Sequence, residues 1–111
     1  MVLERVIVLS SQVKQYHADI LKSLAHPTRL KILELLREGE RCVCEIVPDM
    51  GTDQPNVSRH LSLLTKEGIL SRRKEGLKVF YRVSNYRVFQ ILDLTKEILK
   101  MHWESRSKIL A

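Results

Sequence analysis

Cysteine is scarce in this chain: among 111 residues there are two, Cys42 and Cys44, two positions apart. So few exclude a scaffold stapled by several disulfides. Glycine and proline are almost as sparse, at four and three residues, and there is no internal repeat or low-complexity stretch. No glycine-rich loop capable of cradling a phosphate occurs, and no Ser or Cys elbow with an oriented base beside it. An enzyme is therefore not expected, nor a small organic substrate. No apolar run approaches the roughly eighteen residues a membrane span needs. The apolar Val6-Ile7-Val8-Leu9 is too short for a secretory leader and comes after Glu4 and Arg5. These absences predict a cytoplasmic protein without membrane contact. In that compartment the two cysteines are expected as thiols or metal ligands rather than as a structural disulfide.

The apolar content, 44% of 111 residues, suffices for one modest core, and a single domain over residues 1–111 is expected. The net charge of +6 is unevenly distributed. Between Gln54 and Arg87 stand eight Lys/Arg against two Glu, whereas the remainder carries eleven of each sign. All the excess positive charge thus lies in one segment, which points to a polyanionic partner.

That segment opens with Asp53-Gln54-Pro55-Asn56-Val57-Ser58-Arg59-His60-Leu61-Ser62-Leu63-Leu64. Val57, Leu61 and Leu64 recur at i, i+4 and i+7, the spacing of a buried helical face. Asp53 suits the N-cap and Pro55 the first turn. The opposite face offers Gln54, Asn56, Ser58, Arg59 and Ser62, side chains that hydrogen-bond base edges and phosphates. His60 is counted with them as a candidate phosphate contact, with a place under the adjoining hairpin as the alternative. A short helix with one apolar stripe and a polar outer face fits an element that reads DNA.

Upstream, Val13, Tyr16, Ile20, Leu21 and Leu24 predict an amphipathic helix over residues 11–24. Ala25-His26-Pro27 interrupts it, and His26 is expected to pack or to cap a helix. A second helix opens at Thr28 and runs through Leu36, with Gly39 placed to end it. A short piece from Arg41 to Met50 and the turn Gly51-Thr52 lead into the Asp53 helix, so residues 42–67 read as a helix-turn-helix. Downstream, Ile69 to Lys74 and Leu77 to Val83 flank Glu75-Gly76, the pattern of a two-stranded hairpin over 69–84 with a basic tip. Its Arg72, Arg73, Lys74 and Lys78 suit phosphate or minor-groove contact, while Phe80 and Tyr81 suit packing. Residues 86–109 predict a long amphipathic helix with nothing after it to cover its stripe. This helix and the first are the candidates for a homodimer interface. The fold class is therefore mainly α with a small β-hairpin, a winged helix-turn-helix.

Three pieces in this order resemble the ArsR family of winged-helix, metal-sensing repressors. They are Leu24-Ala25-His26-Pro27-Thr28-Arg29-Leu30-Lys31-Ile32-Leu33, Cys42-Val43-Cys44-Glu45-Ile46 and Gln54-Pro55-Asn56-Val57-Ser58-Arg59-His60-Leu61. The basic hairpin ending in Val79-Phe80-Tyr81-Arg82-Val83 resembles the family's wing. The resemblance, over roughly residues 20–84, implies a homodimeric repressor on a palindromic double-stranded operator that releases when a thiophilic ion binds.

The resemblance also matches Cys42 and Cys44 to the family's metalloid site and favours As(III) or Sb(III) as inducer. Thiolates independently select soft ions, with Cd(II), Pb(II), Zn(II) and Cu(I) as alternatives. The neighbouring Arg41 and a helix start favour the thiolate, and Glu45 opposes it. Two residues apart, the sulfurs are expected to converge on binding, with some distortion of the helix before the reading helix. The best-known arsenic pattern has a third cysteine at the position of Val47, so a three-sulfur site within one protomer is excluded. A third ligand is left to His17, His102, Glu45, Asp49 or an external thiol, and four thiolates shared by two chains remain a further arrangement. The cysteine-rich N-terminal extension of some relatives is missing from Met1–Ser11. The positions matching the family's zinc site between C-terminal helices, Asn85, Arg87, Ile98 and Met101, cannot form it. A thiol-redox switch, buried structural cysteines with no sensing role, and a winged helix serving RNA or protein are the competing readings.

Overall fold

The computed structural model describes the backbone of residues 11–110 and the side chains of residues 11–106. The apolar Val6–Leu9 stretch and most of the Met1–Ser11 extension lie outside the described residues. Helix α1 spans Ser11–Leu24, α2 Pro27–Leu35, α3 Val43–Met50, α4 Gln54–Lys66 and α5 Arg87–Leu110. Three strands, β1 (Arg41–Cys42), β2 (Leu70–Glu75) and β3 (Lys78–Val83), form an antiparallel sheet in the order β1-β3-β2.

Each boundary has a local cause. His26 is the N-cap of α2, extended at φ −153°, and its Nδ1 accepts from the Thr28 N–H at 3.1 Å. Pro27 then takes a first-turn position where a missing N–H leaves nothing unpaired. Gly51, at φ +72°, ends α3 in the left-handed region that a side chain would strain. Two residues later Asp53 caps α4, its carboxylate accepting from the Asn56 N–H at 2.9 Å. The wing turn is Gly76-Leu77, one residue beyond the expected Glu75-Gly76, with Glu75 paired to Lys78 across it. Gly76 carries φ +60° and, among the described residues, no non-glycine residue has positive φ, the pattern of a type II′ hairpin.

The core is an α2–α3–α4 cluster closed by the sheet and by the start of α5. Ile32, Leu33, Leu36, Ile46, Val57, Leu61 and Leu64 are fully buried. Each such side chain contributes roughly 1.5–3 kcal/mol relative to exposure. Val88, Phe89 and Leu92 seal the open side from α5. An ionic clamp fixes that docking. Arg37, just past the end of α2, pairs with Glu34 at 2.9 Å and with Asp93 of α5 at 2.8 Å, while Lys96 of α5 reaches Glu34 at 2.8 Å. The Arg37 guanidinium also lies 4.7 Å above the Phe89 ring.

Beyond Leu92 the apolar stripe of α5 loses contact with the protomer's own core. Leu94, Ile98, Leu99, Met101 and Trp103 are exposed, as are Tyr16, Ile20 and Leu21 on α1. His17 and His102 lie on these same helices, His102 exposed like its neighbours.

The strand β1 was not foreseen. Two residues are too few for periodicity to register, and Arg41 and Cys42 become a strand only by pairing with Tyr81 and Phe80 of β3.

Candidate nucleic-acid interface

Helix α4 shows two faces. Val57, Leu61 and Leu64 are turned into the core with no exposed surface. Gln54, Ser58 and Ser62, spaced by four, form a polar line along the outside and continue to Thr65 and Lys66. This line is one wall of an open groove of about 930 Å³. The opposite wall is the wing, which contributes Arg72, Leu77, Lys78, Val79 and Tyr81. The floor holds Cys42, Val43, Cys44 and Val47 from the start of α3. Among the described residues, Lys66, Arg72 and Lys78 make no ion pair, so the groove presents uncompensated positive charge beside hydrogen-bonding side chains. That combination suits a phosphate backbone lying against an element that reads base edges.

The structure gathers only some of the sequence-predicted contacts here. Gln54, Ser58, Ser62, Arg72 and Lys78 line the groove together. Asn56 and Arg59 sit on the other flank of α4, joined by a hydrogen bond of 2.8 Å from the Arg59 guanidinium to Asn56 Oδ1. Asn56 also donates to Thr52 Oγ1 at 3.3 Å. Lys74 is exposed on the wing, outside the groove lining.

Two residues of the predicted set are engaged within the protein. His60 is 8% exposed and lies on the inner edge of α4, where its Nδ1 accepts from Arg29 Nε at 3.1 Å. Its partners are in α2 and its cap, and not in the wing. A signal was there, since His60 stands three residues after Val57 and four before Leu64, on the edge of the buried stripe. Arg73 is exposed but its charge is answered within the protein. Its guanidinium binds Glu40 at 2.6 Å and Glu75 at 2.7 Å, and stacks 4.4 Å from the Phe80 ring. Both carboxylates push the Arg73 pKa up, and Arg73 holds Glu40 below the usual carboxylate range.

Lys66, Thr65 and Leu77 are groove residues that were missed as contacts. Lys66 had a signal, since it stands four residues after Ser62 in the same helical line.

The cysteines also depart from expectation. Cys42 and Cys44 are joined as a disulfide, with Cα atoms 5.1 Å apart, and no free cysteine remains. The reason is local. Cys42 is the extended N-cap of α3, which swings its Sγ over the first turn, where it accepts from the Cys44 N–H at 3.2 Å. Glu45 Oε1 accepts from the Cys42 N–H at 3.3 Å, completing a capping box. The sulfurs therefore meet with α3 intact, and the expected distortion is not needed to bring them together. Cys42 is buried and Cys44 exposed to the groove. Among the described residues no group of three or more His, Cys, Asp or Glu is placed to hold a metal ion. Asp49 is engaged by Arg41 at 3.5 Å and Glu45 by its cap. Two reduced sulfurs so placed fit a soft ion bound through sulfur alone, with any third ligand supplied from elsewhere.

Comparison with known proteins agrees with this geometry. The model of the bacterial regulatory protein arsR family matches residues 26–72, which run from the cap of α2 into the wing. An uncharacterized HTH-type transcriptional regulator of Methanocaldococcus jannaschii is 45% identical over 82 residues, covering 73% of this chain and 92% of that protein. The chain belongs to the ArsR family. Its fold agrees with that membership. A homodimeric winged helix-turn-helix DNA-binding domain of Mycobacterium bovis, described as a possible ArsR-family regulator, superimposes with a TM-score of 0.75. That domain is 30% identical, and the match covers 86% of this chain and 88% of that one. The arsenical resistance operon repressor of Escherichia coli is 48% identical over 67 residues, 60% of this chain and 57% of that protein. As an ArsR-family protein the chain is a DNA-binding transcriptional repressor and not an enzyme. No helix among the described residues is long and apolar enough to cross a membrane.

Proposed function

We propose that this ArsR-family repressor acts as a homodimer on a palindromic operator and lets go when the Cys42/Cys44 pair takes a thiophilic metalloid, As(III) or Sb(III). The observation that carries the reading is that the sulfurs and the α4 reading face share one groove. Gln54, Ser58 and Ser62 meet base edges, Arg72, Lys78 and Lys66 meet phosphates, and Asn56, Arg59 and Lys74 extend the contact on the outer flank. The exposed stripes of α1 and α5 form the protomer contact. Exposed apolar surface on both terminal helices supports this, as does the homodimeric state of the Mycobacterium bovis relative.

Cys42 and Cys44, as thiolates at the N-terminus of α3, would hold the soft ion, which would supply a preference for sulfur over harder ligands. The chain's own part is mechanical. Cys42 caps α3, so parting its sulfur from Cys44 to admit an ion would strain the cap that the disulfide leaves intact and shift the helix that packs under α4. A coupling of about 1–3 kcal/mol is ordinary for such linkage, and bound operator must weaken ion capture equally. Likeness to the Escherichia coli arsenical resistance operon repressor supports the choice of metalloid. The test is a panel of As(III), Sb(III), Cd(II), Pb(II), Zn(II) and Cu(I) on reduced protein, scored for thiolate absorbance and duplex release. Cys42→Ser with Cys44→Ser should keep duplex binding and abolish release; normal release by the double variant would refute the assignment.

A second reading has its own support in the Cys42–Cys44 bond. Exchange with an external disulfide passes two electrons and two protons from the two thiols to that disulfide, which leaves as two thiols, and the new Cys42–Cys44 bond ties the α3 cap to its first turn, a thiol-redox switch on the same groove. Duplex affinity measured under reducing and oxidising thiol buffers, without added ions, separates the two readings.

A further inference from the structure

We propose that Arg29 and His60 form a strut that sets the pitch of α4 against the end of α1, and so governs duplex affinity without touching the duplex. The inference rests on α4 being the reading helix. One guanidinium joins three helices. Arg29, in the first turn of α2, donates through Nε to His60 Nδ1 on α4 at 3.1 Å. Through Nη1 it donates to the carbonyl oxygens of Ser23 at 3.3 Å and Lys22 at 3.4 Å, in the last turn of α1. Carbonyls in a helix's last turn have no partner within their own helix, and a planar fork of donors is suited to collecting them. The ring of His26, the α2 cap, packs against His60 with centroids 4.5 Å apart.

His60 lies between Ser58 and Ser62 in sequence but points inward where they point out. A small rotation of α4 about its axis would therefore both break the Arg29 contact and re-aim the groove-facing line. The strut works only with a neutral His60, because Nδ1 must present a lone pair to Arg29; the ring proton then sits on Nε2. The groups around it give protonation no partner. They are His26 and Arg29 from α2 and its cap and Arg59 on α4 itself, while Asp19, Lys22 and Glu67 line with Arg29 a recess that does not include His60. Burial first, then those three neighbours, holds the His60 pKa below its ordinary value.

The test uses the full chain and a duplex that the wild type selects from a random double-stranded pool. Absence of any duplex preference in the wild type would remove both the reading-helix assignment and the strut. With binding in hand, His60→Leu keeps the bulk and deletes the acceptor. It should bind about tenfold more weakly, the scale of one lost hydrogen bond to a charged group. Its dependence on salt should be unchanged, because no phosphate contact is lost. His60→Asn retains an acceptor near Nδ1 and should bind within about threefold of wild type at neutral pH. Stepwise acidification should weaken the wild type relative to His60→Asn, with the divergence setting in below the ordinary histidine pKa because the folded site holds His60 neutral. The strut is overturned if His60→Leu binds like wild type, or if its salt slope falls by about one, the mark of a phosphate ligand. It is equally overturned if His60→Asn tracks the wild type into acid, a comparison that stands even should His60→Leu fail to fold.

Discussion

Arg72 and Arg73 are neighbours in sequence, identical in chemistry and opposite in use. Strand alternation sends them to the two faces of the wing. Arg72 sits across from Tyr81 and faces the groove with no carboxylate in reach among the described residues. Arg73 sits across from Phe80, and on that face Glu40 and Glu75 close around it. Net charge counts both equally, yet among the described residues only Arg72 is without a carboxylate partner. A basic segment is thus an upper limit on a phosphate-binding surface, and the acidic residues folded beside it decide how much of the limit is realised. The two faces of α4 repeat the lesson, with His60 turned inward beside the exposed Arg59.

The comparison breaks most visibly at the inner face. Leu61→Ala, at a fully buried site, should cost roughly 2–5 kcal/mol in urea unfolding. A cost below about 1 kcal/mol would mean that α4 is not seated as described. Arg72→Ala should come next, weakening duplex binding and lowering its salt slope by about one, as read from titrations at several salt concentrations. Arg73→Ala should leave that slope where it is and lower the melting temperature only slightly. Equal slopes for the two variants would erase the distinction between the wing's faces.

The smallest effect concerns the α2–α5 clamp. Hydrogen bonds from Arg37 and then Lys96 bring the Glu34 pKa down from 4.5 to about 2. A carboxyl whose folded pKa is depressed adds stability above its unfolded value and loses it as pH falls toward the folded one. Wild type should therefore lose this increment between about pH 4.5 and 2, and Glu34→Gln should lack it across that window. Glu34 is 36% exposed at its side chain, so screening keeps the increment under about 1 kcal/mol. A Glu34→Gln acid-unfolding curve superimposable on wild type would show the clamp to be energetically silent.

Much of the architecture could be read before folding. The i, i+4, i+7 spacing of Val57, Leu61 and Leu64, the cap at Asp53, and the glycine break between two β-rich runs are local signals, each set by backbone preferences within a few residues. They placed α4 and the wing, and with them Gln54, Ser58, Ser62, Arg72 and Lys78. His26 as a helix cap was legible for the same reason. What the chain alone determined is thus the run of elements and the polarity of their faces, because these arise from short-range sterics and hydrophobic periodicity. Only the folded structure decided which cations stay available, that β1 pairs with β3, that His60 answers to Arg29 thirty-one residues away, and that both sulfurs lie on the floor of the groove between α4 and the wing. Those outcomes depend on groups distant in sequence meeting in space, and no local pattern records such meetings.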